Sequence, residues 1–319
     1  MQRRNLMKAA ALAATLGMVA GAGHAQDAEK KVIGVSIPSA THGFMGGLNW
    51  HAQDTIARLG KAYPNLEFVL ATAGDAAKQV NDIEDMMATR NIDGLVVLPF
   101  ESEPLTAPVK AVKEAGKFVT VVDRGLSEEG IEDLYVAGDN TAFGRVAGEY
   151  FKTHLPAGSK IVVLRGIPTT LDNERVEAFQ RALGSDVEIL DMQHGNWNRD
   201  DAFTVMQDYL SKYPKIDAVW AADDDMAIGV MEAIAAANRT DEMWVIGGAG
   251  MKEIVKRIMD GDKQLPVNVT YPPALISSAI EMTALRFVSN APVTGRFIIG
   301  SQLITPENAA QFYYPDSPF

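Results

Sequence analysis

The chain has 319 residues, of which 47% are apolar, 22% charged and 8% aromatic. The apolar content is too high for a disordered chain, and the length fits one large or two medium-sized domains. With 41 acidic and 29 basic residues, the net charge is −12, which argues against a nucleic-acid-binding surface. Cysteine is absent, which excludes disulfides, thiolate metal ligands and a cysteine nucleophile.

Residues 1–25 have the pattern of an export signal. Arg3, Arg4 and Lys8 precede an apolar run at 9–22, and Gly-His-Ala at 23–25 predicts cleavage after Ala25. Cleavage changes the net charge from −12 to −15, because three positive charges leave. The paired arginines fit a twin-arginine signal or an ordinary Sec signal equally well. No cysteine follows the apolar run, so we expect no lipid anchor and predict a soluble, periplasmic protein.

The mature part begins with alternating strands and helices. Strands are predicted at 32–37, 66–71, 94–98 and 118–122, and helices at 46–62, 75–90 and 104–115. The strands are almost continuously apolar, as in parallel strands that are covered on both faces.

The same rhythm restarts near residue 134. Further strands are predicted at 134–138, 161–164, 187–192, 218–221 and 244–246, and further helices at 141–154, 173–183, 200–213, 226–237 and 252–260. A strand at 267–270, a helix at 274–289 and a short strand near 297–300 complete the chain. This tail is too small for a third domain and should return to the existing ones.

The sequence therefore predicts an α/β fold of two doubly wound parallel-sheet lobes joined by a multi-stranded hinge. The first lobe is assigned to residues 26–138 and 272–297, and the second to 139–271 and 298–319. Open α/β sheets bind ligands beyond the carboxyl ends of their strands, so residues that follow strands are the candidates for a site.

Several kinds of chemistry lack their motifs. The sequence has no dinucleotide fingerprint, phosphate loop, nucleophile elbow or HExxH motif. Asp223-Asp224-Asp225 lacks the spacing of a calcium loop and is better explained by a ligand contact and a helix N-cap. We therefore predict no catalytic residue, no metal and no cofactor.

A binding site for a sugar needs charged hydrogen-bonding groups for the hydroxyls and aromatic rings for the C–H faces. Residues of both kinds follow the strands in the first half of the chain. His42 and Phe44 follow the first strand, although His42 could simply be exposed and Phe44 could be a core residue. Asp123 and Arg124 follow the fourth strand and offer an acceptor beside a fork of donors. Glu101 is a weaker candidate.

In the second half, four residues are candidates. Arg175 begins a predicted helix, with a solvated arginine as the alternative. Trp197 lies among polar loop residues, where core packing is a poor explanation, and Asp223 ends a strand. Tyr271 precedes two prolines where the chain crosses between lobes, and either ligand contact or hinge packing would explain it.

Four motifs, in order, resemble those of the periplasmic sugar-binding proteins of the ribose-binding type, the receptors of ABC importers. They are Asp123-Arg124-Gly125, Ala137-Gly138-Asp139-Asn140, the segment Asn-Glu-Arg-Val-Glu-Ala-Phe at 173–179 and the segment Ala-Asp-Asp-Asp-Met-Ala-Ile-Gly at 222–229. The resemblance covers residues 32 to about 300 and implies the type I periplasmic binding protein fold.

By that resemblance, Asp123, Arg124, Arg175 and Asp223 would bond sugar hydroxyls, Phe44 and Trp197 would sandwich the ring, and Tyr271 would contact the ligand. Three departures put the identity of the sugar in doubt: Gly247-Gly248-Ala249 lacks a usual carboxylate, Asp223 replaces an amide, and the first loop contains His42 and an extra residue.

The implied function is capture of a pentose, hexose or polyol by hinge closure, for delivery to an inner-membrane permease. We expect a monomer that does not bind nucleic acid. A sugar-processing enzyme using Asp123 and Asp223, or a chemotaxis receptor, is the alternative. A lac-repressor-type regulator would begin with a DNA-binding domain, where this chain has a signal peptide.

Overall fold

The computed structural model describes residues 30–319, so the predicted export signal at 1–25 lies outside the described residues. The strands are β1 (Lys31–Pro38), β2 (Leu66–Ala73), β3 (Gly94–Val97), β4 (Phe118–Val122), β5 (Leu134–Gly138), β6 (Lys160–Arg165), β7 (Glu188–His194), β8 (Ala218–Ala221), β9 (Trp244–Ile246), β10 (Asn268–Val269), β11 (Gly295–Ile299) and β12 (Leu303–Ile304). The α-helices are α1 (Gly43–Ala62), α2 (Ala76–Arg90), α3 (Ser102–Glu114), α4 (Asn140–His154), α5 (Thr170–Leu183), α6 (Arg199–Lys212), α7 (Asp224–Ala236), α8 (Lys252–Met259) and α9 (Leu275–Val288).

Two parallel sheets organise the described chain, as the alternating pattern predicts. The first has six strands in the order β11-β5-β4-β3-β1-β2, and the second has four in the order β7-β6-β8-β9. Buried aliphatic side chains from β1, β3 and β4 form the centre of the first sheet, and those from β6 and β8 form the centre of the second. The doubly wound α/β fold is confirmed.

The tail of the chain returns to both sheets. β11 pairs with β5 along its full length to Ile299, and α9 packs on the same sheet, where the Thr283 hydroxyl lies 2.7 Å from that of Thr120. β12 then pairs with β10 in a small antiparallel sheet, and Ala249 forms a parallel bridge to Thr270. The chain therefore crosses between the sheets three times, after β5, after β10 and after β11.

Several helices begin earlier than predicted. α1 begins at Gly43 rather than 46, α5 at Thr170 rather than 173, and α7 at Asp224 rather than 226. Thr169 and Asp223 cap α5 and α7 through their own side chains, whereas the first N–H of α1 donates to Asp225, which lies on a distant helix. Only the local caps have a sequence signal, so the start of α1 could not be found from the chain around it.

Close contact between α4 and α5 depends on two glycines of α4. A Cβ on Gly144 would lie 1.9 Å from the carbonyl oxygen of Arg175, and one on Gly148 would lie 2.5 Å from that of Phe179. The two helix backbones therefore touch, and this contact sets the position of Arg175 relative to the crossover at Asn140.

No helix within residues 30–319 combines the length and the apolar character that a membrane span requires.

We predict that Gly144→Ala destabilises the protein, because a methyl group there collides with backbone atoms that cannot rotate away. Overpacking of this kind costs about 1–3 kcal/mol or more of unfolding free energy. The matched control is Gly60→Ala on α1, where a Cβ would meet no atom within 4 Å. Urea unfolding should show this control at or above wild-type stability, since alanine favours a helix by about 1 kcal/mol over glycine. Equal effects of the two substitutions would contradict the helix contact.

Candidate functional site

A cavity lies where the carboxyl ends of the two sheets face each other. It is lined by His42, Phe44, Met45, Asp123, Arg124, Thr169, Leu171, Arg175, Trp197, Asp223, Ala249 and Tyr271. The structure thus brings together all eight residues selected from the sequence. Glu101 is exposed and lies in the wider groove outside the cavity, so it is not part of this cluster.

Asp123 and Tyr271 connect the first sheet to a crossover segment. The Tyr271 hydroxyl donates a hydrogen bond to Oδ1 of Asp123, while the Tyr135 hydroxyl donates to the Asp123 carbonyl at 2.6 Å. The Tyr271 ring covers Gly138, where a Cβ would lie 2.1 Å from Cε2 of the ring. Burial and the Asp123 charge raise the pKa of Tyr271, so it remains a neutral donor. Tyr271 thus packs in the hinge and orients Asp123.

Arg124 is held at the mouth of the cavity. Its Nη1 donates to the carbonyl of Phe100 at 2.7 Å, the one side-chain hydrogen bond found for it within residues 30–319. Burial lowers the pKa of Arg124, and the neighbouring Asp123 charge opposes that shift. An arginine has five N–H donors, so most of its donors remain for a ligand.

Arg175 lies in the second turn of α5 and is 5% exposed. Its Nε donates to Asn140 Oδ1 at 2.8 Å and its Nη1 to the Ala222 carbonyl at 3.0 Å. The guanidinium carbon lies 4.1 Å from the centre of the Phe143 ring and 4.4 Å from that of Tyr271. Helix α5 begins at Thr170, three residues before the predicted start at 173. The alternative that Arg175 is a solvated arginine is wrong, because its side chain is buried.

Trp197 and Phe44 provide aromatic surfaces. Trp197 is 8% exposed and has a φ of +55°, and its ring lies flat against Gly166, where a Cβ would be 1.8 Å from Cζ2. Phe44 lies in the first turn of α1 rather than in a loop and is half-buried, with its ring centre 6.0 Å from that of Tyr271. Both residues line the cavity and also pack on the hydrophobic core, so the expectation that core packing does not explain Trp197 is wrong.

The three consecutive aspartates have three different sets of partners. Asp223 caps α7 by accepting from the Met226 N–H at 2.8 Å and also lines the cavity. Asp224 accepts from the Gly250 and Met251 N–H groups and from Asn268 Nδ2, which makes it a structural residue. Burial raises the pKa of Asp223 to about 8 and that of Asp224 to about 6.

Asp225 joins the two halves of the site. Its Oδ2 accepts from the Gly43 N–H of α1 at 2.8 Å and lies 3.9 Å from His42 Nδ1. Its Oδ1 lies 3.6 Å from Arg199 Nη2. A carboxylate at the first N–H of a helix is favoured by the helix dipole, so this contact stabilises the approach of α7 to α1.

His42 is mostly covered rather than exposed, and its Nδ1 has no hydrogen-bond partner within residues 30–319. Burial lowers the pKa of His42, with Asp225 opposing the shift. His42, Asp223 and Asp225 each place one potential metal-ligand atom within 4.8 Å of the others, although His42 is far from the two aspartates in the sequence. Both carboxylates of this group already accept a backbone N–H, Asp223 from Met226 and Asp225 from Gly43.

Four lining residues were not selected from the sequence. Thr169 and Leu171 flank the start of α5, Met45 lies on α1, and Ala249 follows β9. The Thr-x-x-Asp pattern at 169–172 is a recognisable N-cap signal that could have located the start of α5. Met45 and Leu171 have no such signal, since apolar residues near strand ends are common, whereas Ala249 belongs to the segment 247–249 that the family resemblance had singled out for its missing carboxylate.

We predict that Asp223 makes the protein less stable as the pH rises from 5 to 8. Because the pKa of Asp223 is raised, the folded state keeps a proton on this carboxyl that the unfolded state loses above about pH 4. The unfolding free energy therefore falls as the pH rises above that value and approaches 8. The charged neighbours of Asp223 are Asp224, Asp225 and Arg175. Unfolding free energies at the two pH values should differ less in Asp223→Asn than in the wild type. An identical pH dependence would contradict a protonated Asp223.

The family model described as a periplasmic binding protein domain matches residues 33–290. The ribose import binding protein RbsB of Escherichia coli (strain K12) is 28% identical over 304 residues, which is 95% of this chain and 97% of that protein. A solute-binding protein of an ABC transporter from Mycobacterium smegmatis, solved with bound glycerol, is 31% identical with a TM-score of 0.80 and covers 90% of this chain and 98% of its own. The Caulobacter myo-inositol binding protein is 27% identical with a TM-score of 0.78, and the match covers 88% of this chain and 95% of that protein. The chain belongs to the periplasmic binding protein family.

Proposed function

We propose that the protein is a periplasmic receptor that captures a monosaccharide or a polyol between its two sheets and delivers it to an ABC import permease. The observation that carries this proposal is the cavity between the carboxyl ends of both sheets, where charged groups lie beside aromatic rings. Relatives named for ribose, allose and xylitol binding support the ligand class.

Each side of the cavity has a defined task in this proposal. Asp123 and Arg124 come from the first sheet and bond one set of hydroxyls, while Arg175 and Asp223 come from the second and bond another. Phe44 and Trp197 cover the C–H faces of the ring, which suits the weakly polar faces of a sugar. A wrong epimer would leave one of these buried polar groups unpaired, which is the basis of selectivity.

Capture requires the sheets to move relative to each other. The proposed lobes are residues 26–138 with 272–297 and 139–271 with 298–319, and the pairing of β11 through Ile299 favours placing the last boundary at the end of that strand. The contact of Asp225 with the Gly43 N–H spans the two lobes and belongs to the closed arrangement. Ligand that bridges both lobes favours closure by its differential affinity.

The proposal includes the cellular setting. The predicted signal at 1–25 directs the chain to the periplasm, where a freely diffusing monomer would dock on an inner-membrane permease. Family members are binding proteins, and we propose that this chain likewise releases its ligand unchanged. Recovery of the intact sugar after incubation is expected, and a chemically altered product would favour the enzymatic alternative.

We predict that a sugar or polyol raises the melting temperature of residues 26–319. The panel is D-ribose, D-allose, xylitol and myo-inositol with their stereoisomers, and a ligand at 100 times its Kd stabilises by about 2.7 kcal/mol. Trp197→Ala should weaken binding of that ligand about tenfold or more, because a stacking surface is lost. Trp50→Ala is the matched control, since Trp50 is 40% exposed on α1 and is not among the residues that line the cavity. A flat panel would contradict the proposed function.

A further inference from the structure

The segment after β9 contains a strained residue. Residues 247–250 are Gly-Gly-Ala-Gly, so Ala249 is the one residue of the four with a side chain. Its φ is +118°, a backbone conformation that glycine adopts readily and in which a Cβ collides with neighbouring backbone atoms. The methyl group of Ala249 is therefore kept at an energetic cost that a glycine would avoid.

The surrounding structure holds this backbone in place. A Cβ on Gly247 would lie 2.4 Å from Asp224 Oδ1, and one on Gly248 would lie 2.0 Å from Cζ of Phe143. The Ala249 N–H donates to the Val269 carbonyl at 2.8 Å. The segment therefore cannot shift to relieve the strain, because side chains and a hydrogen bond confine it.

The strained residue lines the cavity of the candidate site. Ala249 is 9% exposed and lines it together with the apolar side chains of Met45, Leu171 and Phe44. A methyl group can neither donate nor accept a hydrogen bond. A ligand hydroxyl that faces this methyl group would gain no hydrogen bond from Ala249 in place of the water that it loses, which is unfavourable.

We propose that Ala249 is a specificity-determining residue whose methyl group selects a sugar or polyol with no hydroxyl on the carbon that faces it. The ligand class is a deoxy sugar, a methyl-bearing sugar or a deoxy polyol. This inference rests on the proposed function, because it concerns the ligand of the same cavity. The hydroxyls elsewhere on the ligand meet Asp123, Arg124 and Arg175, while the unsubstituted carbon contacts Ala249.

The first test uses the wild-type protein and calorimetric titration. D-ribose, D-allose, xylitol and myo-inositol are each compared with all of their monodeoxy analogues. At least one deoxy analogue should bind more tightly than its parent, by about tenfold, because an unpaired buried hydroxyl is removed. If every deoxy analogue binds more weakly than its parent, the proposal is overturned while the sugar-receptor function stands. If no compound binds, the proposed function itself fails, and this inference fails with it.

The second test separates strain from selectivity. Ala249→Gly should raise the melting temperature of the free protein by about 2 °C, since the backbone strain is removed. The same substitution should reduce the ratio of the affinities for the deoxy analogue and its parent from about tenfold to about threefold or less, because the cavity gains room for a hydroxyl. Ala235→Gly on the exposed side of α7 is the matched control and should lower the melting temperature without changing that preference. A lower melting temperature in both variants, or an unchanged preference in Ala249→Gly, would overturn the proposal.

Discussion

The buried guanidinium of Arg175 is the constraint on which the site depends. Removing an arginine from water is expensive, and among residues 30–319 no carboxylate forms an ion pair with it within 4.0 Å. Neutral acceptors on Asn140 and Ala222 and the faces of Phe143 and Tyr271 compensate for the lost water. These partners come from α4, the end of β8 and a crossover segment, so the position of Arg175 fixes all three around the cavity.

The same junction joins the two sheets to each other. Tyr271 connects a crossover to Asp123 at the end of β4, and Asp225 on α7 accepts from the first N–H of α1. Both contacts use groups that would otherwise be unsatisfied: a buried carboxylate and an uncapped helix start. The contact between Asp225 and Gly43 therefore holds the two sheets together beside the cavity, which Asp123 and Tyr271 line.

Much of this architecture could be predicted from the sequence. Apolar runs alternating with amphipathic stretches gave the parallel sheets, and the rule that ligands bind beyond strand ends led to Asp123, Trp197 and Asp223, which the structure places around one cavity. The contributions of Gly144 and Asp225, and the backbone angle of Ala249, could not be predicted in this way. Each depends on a contact between segments far apart in the chain, or on a backbone angle, and neither leaves a local pattern in the sequence.

The most direct test of the account is a crystal structure of the protein with the sugar that raises its melting temperature. The account predicts one sugar in the cavity, hydrogen-bonded to Asp123 and Arg124 from the first sheet and to Arg175 and Asp223 from the second. A ligand bound to one sheet alone, or outside the cavity between the sheets, would contradict it.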